Sequence, residues 1–289
     1  MPRVATRTIL VALLAVLATS AAYADLTTLW VGIDPFAPPP GSKILNTTTS
    51  GTIIRTTDPF SGGGGNGIGV DTAGNAIYIA RFDVIQEENL TTLAPIGAPV
   101  TETPSRFLAE DMTWDPSTSR LWRTSYSFNE IDRIDPATGA IDFSFSVNPA
   151  VINGPLGITM DSAGFLWISG FNVPRVEKYT TAGVDTGVGF TPALVAGPGD
   201  PGQPEPGGLA FDPLDGTLYI GTGARVWHYT TTGAPLGFFD TPDGRYVDGL
   251  EAQTTVTTSA VPEPSALGLL ASAISVLAFV KVWKRKRIA

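Results

Sequence analysis

The chain has 289 residues, 43% of them hydrophobic, so it is long enough to bury a sizeable core. It has no cysteine, which excludes disulfides, thiolate metal sites and cysteine nucleophiles. The formal net charge is −9, but seven of the 18 basic residues lie at the two ends, so residues 25–255 carry −15. A domain with this charge repels phosphate backbones, and we therefore expect no nucleic-acid partner.

Residues 1–24 have the pattern of a secretory signal peptide. Arg3 and Arg7 form the charged start, residues 9–18 are apolar but too few to span a membrane comfortably, and residues 22–24 form a small-x-small cleavage site. The pattern predicts export through the Sec translocon and cleavage at the end of this segment. The alternative is an uncleaved N-terminal anchor.

A short unit recurs along residues 25–255. In residues 157–170 two short apolar strands flank a tight turn at residues 161–164. The turn aspartates of the four copies, spaced 44 to 51 residues apart, are Asp71, Asp115, Asp161 and Asp212. Four-stranded repeats of this length are typical of β-propeller blades. Because one such sheet cannot bury its own faces, we expect the blades to pack around a common axis.

The first predicted blade lacks its first strand at the N-terminal end. Its second to fourth strands are predicted at residues 29–33, 43–45 and 52–55. Residues 246–252 supply the missing strand, because Gly249-Leu250 matches Gly208-Leu209 of the preceding copy. We therefore predict an all-β fold, a five-bladed β-propeller over residues 25–255 that is closed by pairing of its N- and C-terminal strands.

The turn aspartates admit two interpretations. An Asp side chain at this place in a turn commonly accepts hydrogen bonds from the backbone that follows it, and the proline after Asp115 and after Asp212 fits such a turn. Alternatively, the turn carboxylates are calcium ligands. We favour the turn-capping role because it is the more common one.

His228 is the only histidine of the chain. Alignment of the copies places it where two other blades have Arg133 and Lys178, and long cations there indicate a solvent-facing position. We therefore expect His228 to be exposed and not catalytic, which disfavours a Ser-His-Asp triad. Trp122 and Trp227 are either exposed platforms for sugars or part of the core between blades.

The C-terminal segment combines three features in order. Residues 256–264 form a polar linker, residues 265–283 are apolar and long enough to span a bilayer as a helix, and residues 284–289 form a basic tail expected to stay in the cytoplasm. The linker ends in the motif Val261, Pro262, Glu263 and Pro264. One interpretation of these features is an ordinary C-terminal membrane anchor.

This tail resembles the PEP-CTERM sorting signal, on the Pro-Glu-Pro triplet, the apolar segment and the terminal basic cluster. The resemblance implies an exopolysaccharide-producing Gram-negative source, a precursor anchored in the inner membrane, and processing by an exosortase near the triplet. It also implies an envelope or extracellular location for the processed protein.

The repeats resemble NHL-type and streptogramin-lyase-like propeller repeats, on the copies at residues 67–78 and 157–168. The resemblance covers most of residues 28–255 and implies a propeller that serves as a binding platform, although the fold alone does not define a function. We therefore expect a binding or scaffold role without a cofactor, with an exopolysaccharide or an envelope protein as partner.

Three segments that begin at Glu110, Asn153 and Asp248 are similar to segments of the SMP-30/gluconolactonase family. The resemblance implies that these three residues ligate Ca²⁺ or another divalent metal at the central opening, where the metal would polarise a lactone carbonyl. The chain departs from the family pattern where Asp111 and Met112 replace Gly-Pro. The alternative function is therefore a metal-dependent lactonase or a streptogramin-lyase-like enzyme, and the alternative to a metal site is an acidic rim.

Overall fold

The structure is a computed structural model that describes residues 26–33, 43–57, 67–106, 109–195, 205–242, 244 and 246–255. Leu26–Thr255 forms one compact unit. The predicted signal peptide, sorting motif, apolar segment and basic tail lie outside the described residues. Within the described ranges, no helix is long and apolar enough to cross a membrane.

The described residues form twenty β-strands arranged in five antiparallel sheets of four strands, one sheet per blade. Blade 1 contains β20 (Val247–Thr255), β1 (Leu26–Ile33), β2 (Ile44–Thr48) and β3 (Ile53–Thr57). Blade 2 contains β4 (Gly67–Asp71), β5 (Ala76–Arg81), β6 (Val84–Asn89) and β7 (Val100–Thr101). Blade 3 contains β8 (Ala109–Asp115), β9 (Arg120–Ser125), β10 (Glu130–Ile134) and β11 (Ile141–Ser146).

The last two blades repeat the same order of strands. Blade 4 contains β12 (Pro155–Met160), β13 (Leu166–Gly170), β14 (Arg175–Tyr179) and β15 (Asp185–Phe190). Blade 5 contains β16 (Leu209–Asp212), β17 (Thr217–Thr222), β18 (Arg225–Thr230) and β19 (Pro235–Asp240). The inner strands are therefore β20, β4, β8, β12 and β16. The predicted all-β, five-bladed propeller is confirmed.

Blade 1 joins the two ends of the propeller. β20 pairs antiparallel with β1, so that Leu29 lies opposite Ala252 and Val31 lies opposite Leu250. Leu29, Val31 and Leu250 belong to one buried apolar cluster. The predicted closure is confirmed, and the pairing covers the strand edge that β1 would otherwise leave open.

The turn aspartates cap the hairpins that follow the inner strands. Oδ1 of Asp161 accepts hydrogen bonds from the backbone N–H groups of Ala163 and Phe165, both at 3.0 Å. Its Oδ2 accepts a hydrogen bond from Nε1 of Trp167 at 3.2 Å. The other turn aspartates that accept a backbone N–H two or three residues further on are Asp71, Asp115 and Asp212. The turn-capping interpretation is confirmed.

Each blade has a buried aromatic residue in the middle of its second strand. The five are Trp30, Tyr78, Trp122, Trp167 and Tyr219. In three blades the neighbouring residue on the third strand, Arg133, Lys178 or His228, lies over this ring at 4.3 to 5.7 Å from its centroid. His228 is therefore half-buried, and the expected exposed position was wrong because the ring of the adjacent strand covers it. Trp122 and Trp227 both lie in the core between blades, not on the surface.

The inner strands approach one another closely around the axis. In four of them a glycine lies two residues before the residue that pairs with the buried aromatic residue. These are Gly67, Gly157, Gly249 and, directly before β16, Gly208. A Cβ atom on Gly157 would lie 2.2 Å from the carbonyl oxygen of Gly207, and one on Gly208 would lie 2.6 Å from the backbone nitrogen of Leu250. A side chain at this position would therefore clash with the backbone of the neighbouring inner strand. The fifth inner strand, β8, has Asp111 there.

The side chain of Asp111 is fully buried at the axis. Its Oδ1 accepts hydrogen bonds from the backbone N–H groups of Met112 at 2.9 Å and Leu250 at 3.3 Å. Its Oδ2 accepts hydrogen bonds from Leu209 at 3.0 Å and Ile158 at 3.3 Å. Burial raises the pKa of Asp111 well above its usual range, although these backbone bonds favour the ionised form. One carboxyl group thus connects the inner strands of four of the five blades.

Replacement of Asp111 is expected to destabilise the whole ring. Asp111→Ala removes the acceptor of four buried N–H groups and should lower the free energy of unfolding by roughly 3–5 kcal/mol, measured by urea denaturation. Asp111→Gly copies the residue of the other four strands and should lose a similar amount, because it removes the same acceptor. Asp185→Ala, on an exposed outer strand, is the control and should change stability by less than about 1 kcal/mol. A wild-type urea midpoint for both Asp111 variants would contradict this role.

Candidate functional site

The hairpin turns after the inner strands surround a cavity at one end of the axis, and we call this end the turn face. The inner strands run side by side in the same direction, so their C-terminal ends meet there. The cavity has a volume of about 620 Å³, and all five blades contribute to its wall. Acidic residues in the wall are Asp71, Asp115, Asp161 and Glu251.

Glu251 on β20 borders this cavity and is only 7% exposed. It occupies the register position that Thr113 occupies on β8, two residues from the level of Asp111. The backbone N–H of Ala252 donates a hydrogen bond to Oε1 at 3.1 Å, whereas Oε2 has no hydrogen-bond partner among the described residues. Burial raises the pKa of Glu251 to about 8, and the bonds from Thr113 and Ala252 offset this only in part.

The turn carboxylates around the cavity differ from Glu251 because each of them caps its own hairpin turn. Burial disfavours the ionised form of Asp115, but hydrogen bonds from Ser117, Thr118 and Trp122 outweigh burial and lower its pKa. Asp161 bonds the backbone of its own turn and also lies 2.7 Å from Nζ of Lys178. Among the described residues that line the cavity, none is Lys, Arg or His. The cavity therefore favours hydrogen-bond donors and positive charge.

The predicted metal ligands lie at the end of the axis opposite the turn face. Glu110 and Asp248 are each the second residue of an inner strand, and Asn153 precedes the inner strand of blade 4 by two residues. All three side chains are partly buried, and Oδ1 of Asn153 accepts a hydrogen bond from Nδ2 of Asn172 at 2.9 Å. Within the described part of the chain, no group of three or more His, Cys, Asp or Glu side chains is arranged to hold a metal ion. The metal site stays a prediction.

Sequence reasoning missed the role of Asp111 and did not consider Glu251. An alignment of the five inner strands contains the signal for both residues. Asp111 stands where the other four strands have glycine, and Glu251 stands where they have small residues. Those small residues are Gly69, Thr113, Thr159 and Ala210. Each axial carboxyl group therefore belongs to the one charged residue at a position where the other inner strands have small residues.

No family model matches the sequence, and no curated protein is significantly similar to it. A chain from the crystal structure of a nidogen/laminin complex is 13% identical, with a TM-score of 0.50 over 78% of this chain and 98% of that chain. Virginiamycin B lyase from Staphylococcus aureus is 21% identical, with a TM-score of 0.43 over 65% of this chain and 59% of the lyase chain. A protein of unknown function from Bacteroides caccae is 9% identical, with a TM-score of 0.46. The first similarity shows the fold alone, and the other two support no conclusion about function.

Stability is expected to fall as the pH rises from about 5 to about 8. In this window the unfolded chain has lost the proton of Glu251, since the ordinary pKa is 4.5, whereas the folded chain keeps it up to about pH 8. Glu251→Gln stays uncharged and should reduce this loss by a few kcal/mol, measured as urea unfolding at about pH 5, 6.5 and 8. Glu130→Gln, at the other end of the blades, should keep the wild-type dependence. The same pH dependence of stability in wild type and Glu251→Gln would refute the raised pKa of Glu251.

Calcium is expected to raise the melting temperature if Glu110, Asn153 and Asp248 form the predicted metal site. Binding to the folded chain at about a hundred times the dissociation constant contributes about 2.7 kcal/mol, which corresponds to several degrees. The shift should be absent in Glu110→Ala and retained in the surface control Asp185→Ala. The absence of any shift with millimolar Ca²⁺ or Mn²⁺ would remove the metal site.

Proposed function

We propose that this protein is an exported binding protein of the bacterial envelope or extracellular matrix, with the propeller as its ligand-binding domain. The observation that carries the proposal is the turn-face cavity. Its turn carboxylates are bonded within the fold, while Oε2 of Glu251 has no partner among the described residues. His228, the only histidine of the sequence, stacks on Tyr219 at 4.3 Å and does not line the cavity. Binding is therefore better supported than catalysis.

A saccharide is the ligand that the cavity fits best. A volume of about 620 Å³ accommodates one or two sugar rings. Trp114 and Phe211 line the wall, and Trp114 is held in place by stacking on Tyr78 at 5.3 Å. Aromatic faces contact the apolar faces of sugar rings, and the surrounding hydroxyl and carboxyl groups accept hydrogen bonds. An exopolysaccharide is therefore the favoured partner.

The proposed location rests on the two ends of the sequence. The pattern of residues 1–24 supports export by the Sec translocon, and residues 261–287 support an inner-membrane precursor that an exosortase-type enzyme processes. The processed propeller then belongs to the cell envelope or the extracellular matrix. Nucleic acid is not a partner in this proposal, because the propeller segment is strongly acidic.

A metal-dependent hydrolase or lyase is the second candidate. The observation that favours it is the placement of Glu110, Asn153 and Asp248 at one end of the axis. Such a metal would act as a Lewis acid on a bound carbonyl group. The calcium experiment described above decides between the two candidates.

The proposed function is tested on the mature protein isolated from the envelope and medium of its source bacterium. Mass spectrometry should find an N-terminus near Asp25 and a C-terminus near Pro262, without residues 265–289. Carbohydrate analysis should find saccharide that stays bound through purification. Replacement of Pro262, Glu263 and Pro264 by alanine should leave the tail in place. A cytoplasmic form that is intact through Ala289 and free of saccharide would refute the proposal.

A further inference from the structure

We propose that the turn-face cavity binds the primary ammonium group of an amino sugar, with Glu251 as the residue that pairs with it. This ligand class deepens the proposed binding role and depends on it. The argument starts from the unbonded oxygen. Glu251 lines the cavity and is 7% exposed, and its buried Oε2 has no hydrogen-bond partner among the described residues. It is one of ten buried side-chain atoms without a hydrogen-bond partner among the described residues, and the one whose residue lines the cavity. Buried polar atoms are nearly always bonded, so a donor from a ligand accounts for this oxygen.

The charges around the cavity favour a cationic donor over a hydroxyl group. Besides Glu251, the acidic side chains that line the cavity are Asp71, Asp115 and Asp161, and the inner strands β8 and β16 add Asp111 and Asp212. The residue opposite Glu251 on β1 is the uncharged Trp30. The nearby cation Lys178 is bonded to Asp161 and does not line the cavity. A ligand ammonium group therefore supplies the charge that these carboxylates lack.

The wall of the cavity favours an amino sugar over an alkyl amine. Trp114 and Phe211 offer apolar surface for a ring. The hydroxyl groups of Thr113 and Ser117 donate to Glu251 and Asp115, so their oxygens can accept hydrogen bonds from a ligand. A pyranose ring with an amino substituent can contact the aromatic side chains, the hydroxyl groups and the carboxyl group of Glu251 at the same time. An alkyl polyamine has no hydroxyl groups and would leave the polar part of the wall without partners.

Binding of an ammonium group changes the protonation of Glu251. Because burial raises its pKa to about 8, the free protein holds this carboxyl group in its neutral form at about pH 6. An ammonium ion beside it favours the carboxylate, so the proton leaves for the solvent as the ion pair forms. About one proton should therefore be released for each ligand bound.

The test uses the full chain in detergent and calorimetric titration at about pH 6 in two buffers of different ionisation enthalpy. The probes are a glucosamine trimer and its fully N-acetylated counterpart, which differ in charge but share the same ring skeleton. The glucosamine trimer should bind wild type and Glu130→Gln equally. Its affinity should be about tenfold or more lower for Glu251→Gln, and the acetylated trimer should bind wild type about tenfold or more weakly. Proton release should be lost in Glu251→Gln.

Several outcomes would overturn the inference. Equal affinity for the two trimers, or unchanged affinity in Glu251→Gln, would show that the amino group is not recognised by this carboxyl group. Binding of spermidine or Ca²⁺ without binding of the glucosamine trimer would show the wrong ligand class. These outcomes would refute only the amino-sugar ligand. The binding role itself would be refuted if the mature protein isolated from the bacterium carried no saccharide. Thermal melting of Glu251→Gln establishes that a loss of affinity is not a loss of folding.

Discussion

At the centre of the ring, one carboxyl group accepts hydrogen bonds from the backbones of four blades. The inner strands bring their N–H groups to an axis that is buried, and an unsatisfied buried N–H group is costly. Glycine at one register position in four inner strands lets the strands approach, and Asp111 at the same position in the fifth strand fills the space they leave. A carboxyl group offers about four acceptor sites, which matches the four donors from Met112, Ile158, Leu209 and Leu250. This match satisfies the four N–H groups and links four of the five blades at the axis.

The two axial carboxyl groups lie close together in similar surroundings, yet their hydrogen bonds differ. Asp111 is surrounded by donors on all sides and has no oxygen left for a ligand. Glu251, one step nearer the turn face, accepts bonds from Ala252 and Thr113, but its Oε2 has none among the described residues. Burial raises the pKa of both groups, so burial alone does not distinguish them. The number of hydrogen bonds to each carboxyl group distinguishes them. It indicates a structural role for Asp111 and a ligand-binding role for Glu251.

The repeats were sufficient to predict the blades, because each strand and turn is specified locally. Alternation of apolar residues and the Asp-led turns located the hairpins, and the match of Gly249 to Gly208 predicted the closure. The site was less accessible to sequence reasoning, since Glu251 and Thr113 meet only after the ring has closed and the registers are set. His228 shows the same limit. Alignment correctly grouped it with Arg133 and Lys178, but its burial depends on Tyr219 of the adjacent strand.

The distribution of ion pairs explains why charge is left at the turn face. On the outer strands, arginines neutralise the carboxylates: Arg120 and Arg133 both bond Asp142, and Arg225 bonds Asp240. At the turn face, N–H and hydroxyl groups satisfy the carboxylates instead, with Lys178 beside Asp161 as the exception. Neutral donors stabilise a carboxylate without removing its charge. Arginines therefore balance part of the acidity at the periphery, whereas most carboxylates around the cavity keep their charge, which favours a positively charged ligand there.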